Sequence, residues 1–196
     1  MAVITREKKH YYYANVSKEG RMRLRSRQED GKYLEQLADG ISGRIVEIKK
    51  TEGDFEGQPI ARLEVTINDN DQKYILSVSR YSNYGRGLIN KLHNVNMDKK
   101  VEIGVFASSF EGKVYVHATL KQGDKNIPVK FEKGQIPGIN MVKVGKKDVM
   151  DSTERDEFFD AKLDELIQDF QDRPSPTAYD VVNNFEEVEE TADLPF

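Results

Sequence analysis

The chain of 196 residues has no cysteine, which excludes disulfide staples and thiolate metal sites, and its three scattered histidines fall in no metal-ligand motif. A formal net charge of -4 conceals a division: residues 151–196 hold fifteen acids against three bases, a net of -12, which leaves +8 on residues 1–150. No apolar run approaches a membrane span and the N-terminus lacks the apolar core of a signal peptide, so a soluble, cytoplasmic protein is expected, with a body drawn to polyanions and a tail that repels them.

Residues 1–39 form a basic, aromatic N-terminal extension, with nine Lys/Arg against four acids in its first 32 residues. Tyr11-Tyr12-Tyr13 precede a polar turn at Ser17–Gly20, followed by Arg21, Arg23, Arg25 and Arg27 with Met22 and Leu24 between them. That period of two predicts a strand with its charge on one face, where a helix would scatter the arginines; a mobile arm is the alternative.

Residues 40–131 read as short strands: Ile41–Lys50, a turn at Thr51–Gly57, Pro59–Asn68, a polar turn at Asn68–Asp71, and Lys73–Ser79. A short helix is expected over Ser82–His93, then strands Lys100–Ala107 and Lys113–Lys121 joined by Ser108–Gly112. Three strands, a helix and two strands is the order of an OB-fold, a five-stranded barrel, so the fold class is mainly β. Residues 132–150 read as a connecting loop with extended pieces. Residues 151–172 predict an amphipathic helix with Phe159, Leu163, Leu166, Ile167 and Phe170 on one face, capped by Asp151 or Thr153. That stripe packs on the barrel or on a second copy of the chain, so a homo-oligomer is left open. Residues 173–196 have the composition of a disordered acidic tail.

Single-strand binding needs cations along the phosphates and aromatic faces against bases. Beside the Arg21–Arg27 row, Arg44, Arg62 and Lys73 lie on the first three barrel strands. Strand phase turns Val101, Ile103 and Val105 inward and Phe106 outward. It likewise turns Val114, Val116, Ala118 and Leu120 inward and Tyr115 outward. Phe55 and Phe110 sit in the two connections that flank an OB-fold groove, and Arg80-Tyr81-Ser82-Asn83-Tyr84-Gly85-Arg86 supplies two rings and two arginines. Tyr74 shares the phase of Leu76 and Val78 and is read as core. Asn68–Asp71 lacks the Gly and distal Glu of a calcium loop, and Gly85-Arg86-Gly87 lacks the Lys-Ser/Thr of a phosphate loop. The expectation is a protein that is not an enzyme and uses no cofactor or metal.

The chain closes on a run of acids and an apolar tip, Asp193-Leu194-Pro195-Phe196. This ending resembles the acidic tip of bacterial and phage single-stranded DNA-binding proteins, which finish in Asp, an aliphatic residue, Pro and Phe. With the basic, aromatic-bearing body, the chain resembles a divergent, phage-like member of that family. The resemblance implies sequence-nonspecific coating of single-stranded DNA during replication, recombination or repair, in the host cytoplasm if the chain is phage-encoded. It also implies recruitment of replication and repair proteins through Asp193, Leu194, Pro195 and Phe196. The basic N-terminal segment, the helix at 151–172 and the lack of a long Gly/Gln-rich linker depart from the bacterial pattern, so the family's tetramer is not carried over. Two rivals stand: an OB-fold protein-interaction subunit without nucleic-acid affinity and an RNA-binding chaperone of cold-shock type; of the enzyme classes only a nuclease is left, and weakly.

Overall fold

A computed structural model describes residues 10–173 except Glu29, Glu56, Asp71 and Lys146. The extension is a three-stranded meander: β1 (His10–Val16), β2 (Met22–Arg27) and β3 (Tyr33–Ala38). The period-two reading of β2 holds, because Met22, Leu24 and Ser26 are buried while Arg23, Arg25 and Arg27 are exposed. β3 is a strand that the sequence pattern does not announce; its Tyr33, Leu34 and Leu37 are all exposed.

Next come β4 (Gly40–Phe55), β5 (Gln58–Asp69), β6 (Gln72–Ser79), α1 (Asn83–Leu92), β7 (Val101–Phe110), β8 (Lys113–Gln122) and β9 (Lys125–Asn126). Two strands outrun their predicted ends. β4 continues through the expected turn, since Phe55 still pairs with Gln58 and only the Asp54 carboxylate, accepting from Gly57 N at 3.0 Å, closes the tip. β7 runs to Phe110 because Glu111 (φ 49°) and Gly112 (φ 72°) alone make a tight left-handed turn. Val114 is a correction: it is exposed, because this β7–β8 hairpin projects beyond the core as a finger.

Among the described residues nine strands share one sheet, in the order β3-β2-β1-β6-β5-β4-β7-β8-β9. β4 bends through a bulge between Ile45 and Glu47, so its start pairs with β7 and the rest with β5. A closed five-stranded barrel is not what this order gives. β6 has β5 on one side and β1, in parallel, on the other, and it is not paired with β8. The hydrophobic core holds Leu63, Val65, Ile67, Leu76, Ile103 and Leu120.

α1 begins at Ser82, whose hydroxyl accepts from Gly85 N at 3.0 Å and donates to Ser79 O at 2.8 Å. A Cβ on Gly85 would lie 2.1 Å from Ser79 O, so only glycine lets the helix start this close to the end of β6. After Ile127, β10 (Asn140–Val144) and β11 (Lys147–Asp151) form a separate hairpin within the stretch read as a connecting loop. α2 (Thr153–Gln171) starts at Ser152, and the Asp151 carboxylate accepts from Thr153 N at 3.0 Å. Its Phe159, Leu163 and Leu166 are buried against α1 and β4 of the same chain.

Candidate nucleic-acid interface

The residue pairing places side chains from six strands on one outward face. Arg25 lies opposite Tyr13 on β1 and Glu35 on β3, Tyr13 is level with Ile75 on β6, and Ile75 is opposite Thr66 on β5. In the neighbouring row Tyr11 is level with Lys73, Lys73 is opposite Asn68, and Asn68 is opposite Arg44. Arg23, Arg27, Arg62 and Lys49 complete the set, so seven cations share the face with three carboxylates, Glu35, Glu47 and Glu64. Tyr11, Tyr13 and Tyr33 present exposed rings on it, 45%, 56% and 65% accessible. None of the three is among the contacts expected from the sequence, although Tyr11 and Tyr13 belong to the aromatic run of the extension. The parity of Tyr11-Tyr12-Tyr13 is the signal: Tyr12 turns inward and stacks on Tyr74 with ring centroids 5.4 Å apart, which leaves its neighbours outside.

The predicted site residues part company here. Arg23, Arg25, Arg27, Arg44, Arg62 and Lys73 lie together on this face. Arg25 Nε donates to Glu35 at 2.6 Å, Arg21 beside β2 pairs with Asp39 at 2.9 Å, and Lys73 sits 5.5 Å from the Tyr11 ring centre. Phe55 is the last residue of β4. Phe106 is outward and stacks on His117 at 4.8 Å, and Phe110 stands exposed at the finger tip. Asp193, Leu194, Pro195 and Phe196 lie outside the described residues.

Four predicted contacts are corrected or already engaged. Tyr84 is buried, with its hydroxyl donating to Gly104 O at 3.3 Å, and burial pushes that hydroxyl's pKa up; it belongs to the core. Arg80 is also buried, 3.4 Å from Glu52 and 3.5 Å from Asp160. Arg86 Nε donates to Asp156 at 3.1 Å, and Tyr81 donates to Asp160 at 2.7 Å. Burial and then the Asp160 bond raise the Tyr81 pKa. With Lys50 pairing to Asp164 at 2.7 Å, three aspartates one helical turn apart on α2 bind three cations of the body. The Arg80–Arg86 segment is the seat of α2.

An open cleft of about 710 Å³ cuts into the edge of this face between β6 and β8. The β1–β2 turn bridges its far side, where Gly20 (φ +76°) rests on β7: a Cβ there would lie 2.7 Å from Ala107 Cβ. Tyr84 lies at its floor, while Arg23, Arg62 and Tyr115 line it nearer the surface. Arg62 is held in place by Ser77, donating from Nε to its hydroxyl at 2.7 Å and from Nη2 to its carbonyl at 2.9 Å.

Among the described residues no cluster of three His, Asp or Glu side chains is arranged to hold a metal ion, and no helix is long and apolar enough to cross a membrane. Comparisons with protein-family models, with curated proteins and with solved structures find no match to this chain.

Proposed function

We propose that the chain binds single-stranded DNA without sequence preference and protects it during replication, recombination or repair. The observation that carries this reading is the outward face on which Arg23, Arg25, Arg27, Lys73 and Arg44 surround the exposed rings of Tyr11, Tyr13 and Tyr33. Cations spaced along a sheet track phosphates. Aromatic faces between them stack on bases whatever their identity, at ~1–3 kcal/mol per base. A duplex hides its base faces in its own stack, so the arrangement suits single strands.

The order β4-β5-β6-α1-β7-β8, with β4 paired to both β5 and β7, supports an OB-type barrel left open between β6 and β8 and widened by the N-terminal meander. In this reading the acidic segment ending in Asp193, Leu194, Pro195 and Phe196 recruits replication and repair proteins and competes with DNA for the basic face when none is bound.

Fluorescence anisotropy of labelled oligo-dT over a salt series, with duplex DNA and RNA as competitors, tests the reading. Tight binding that weakens with salt and resists duplex competition is the expected result. Absence of binding at low salt, by the full chain and by a chain lacking residues 186–196, overturns it in favour of a protein-interaction module. An RNA preference would favour the chaperone.

A further inference from the structure

The cleft between β6 and β8 exists because two strand edges stop short of each other. Among the described residues, β6 is paired to β1 only from Gln72 to Leu76, which leaves Ser77–Ser79 without a partner on that side. β8 is paired on its outer side only through Lys121 and Gln122 to β9. Ser77–Ser79 and Val114–Val116 are walls of the same cleft. Its volume of about 710 Å³ falls within the ~300–1,000 Å³ of small-molecule sites.

The lining is chemically mixed in a way that fits a nucleotide. Lys18, Arg23 and Arg62 supply three cations against the single carboxylate of Glu19. Among the described residues Arg23 and Arg62 make no ion pair, and the side-chain amides of Asn15 and Asn83, at the rim, have no hydrogen-bond partner. A primary amide offers a donor and an acceptor side by side, the pattern that a base edge presents. Tyr115 provides an aromatic wall. The groove continues past Val114 and Val116 along Ala107, Ser108 and Ser109 of the finger, which gives the strand an exit.

We propose that this cleft holds one nucleotide of a bound single strand. The base leaves the sheet face, enters between β6 and β8, stacks on Tyr115 and is met by the Asn15 and Asn83 amides, while Arg23 and Arg62 hold the flanking phosphates. The inference rests on the single-strand reading above and adds to it a place where the strand turns inward. A base must be free of its partner to enter, so the cleft adds to discrimination against duplex.

Photocrosslinking of the full chain to oligo-dT carrying one 5-iododeoxyuridine, mapped by peptide mass spectrometry, locates the base. Crosslinks to Tyr115 are expected, with their loss in Tyr115→Leu. Asn15→Leu, an exposed position, and Tyr115→Leu are each expected to weaken oligo-dT binding by at least fivefold while leaving an abasic oligomer of the same length unaffected. Crosslinks confined to Tyr11, Tyr13 and Tyr33, or unchanged oligo-dT affinity in both folded variants, overturn the cleft and leave the face intact. A wild-type chain that binds no oligomer overturns both.

Discussion

Tyr13 on β1 stands directly opposite Arg25 on β2, and its ring is more than half exposed. A planar apolar surface beside a guanidinium is the smallest unit that can take a base and its phosphate together. Tyr13→Ala should weaken oligo-dT binding by about 1–3 kcal/mol, roughly fivefold to 150-fold, with no loss of thermal stability. Tyr12→Ala should do the reverse. It removes the inward ring stacked on Tyr74, so the denaturation midpoint should fall while affinity holds. Equal effects of the two variants on binding would sink the assignment of this face.

Arg23 has no carboxylate partner among the described residues, whereas Arg25 is tied to Glu35. Arg23→Ala should therefore lower the slope of log affinity against log salt by roughly 0.7, the release of about one counterion from a single strand. Glu35→Gln frees Arg25 and should tighten binding at low salt. An unchanged slope in the first variant would remove Arg23 from the phosphate path.

Gly20 and Gly31 both have positive φ, +76° and +83°, but only Gly20 has a neighbour in the way. Gly20→Ala should lose about 1–3 kcal/mol from backbone strain and then more from the clash with Ala107, which forces the β1–β2 turn off β7. Gly31→Ala should show the strain alone. Matching urea midpoints for the two would contradict the turn-to-β7 contact.

Arg80 is part of the seat of α2 and is buried between Glu52 and Asp160. Asp160→Asn should destabilise the fold by about 1–3 kcal/mol; Glu52 remains near, which keeps the loss below that of a fully orphaned buried charge. Arg80→Met should leave oligo-dT affinity within twofold. A large drop in affinity with intact stability would return Arg80 to the candidate nucleic-acid interface.

His93, beside the end of α1, lies with Nε2 2.9 Å from Lys162 O on α2. Burial lowers its pKa below the ordinary 6.5, and the Lys162 carbonyl offsets part of that effect. The native state therefore holds His93 neutral while the unfolded chain takes up a proton more readily. The stability this confers is complete above about pH 6.5 and is lost as pH falls through the lowered native value. His93→Gln should flatten that acid limb in urea titrations between neutral and mildly acidic pH. A limb of unchanged slope would assign the pH dependence elsewhere.

The alternation of arginine with Met22 and Leu24 made β2 legible, and the apolar spacing of Phe159, Leu163 and Leu166 made α2 legible, because both patterns are local. The partner of β6 was not legible. A strand edge carries no mark of which segment will pair with it, and β1 takes that edge from a distant part of the chain. The same limit governed the site. Arg80 and Arg86 read as exposed cations until α2, some seventy residues on, brought Asp156 and Asp160 to them. Tyr84 read as a surface ring because no local pattern shows Gly104 waiting for its hydroxyl.

The parallel pairing of β1 with β6 also sets a schedule. Tyr12 cannot meet Tyr74 until the intervening chain, about 60 residues, has been synthesised, a delay of about 3–12 s at ~5–20 residues per second. Until then Ala14, Met22 and Leu24, all buried in the finished fold, lack the residues that cover them. Arg23, Arg25 and Arg27 line the outward side of β2, and charge on an exposed strand opposes its pairing with a second copy during that interval.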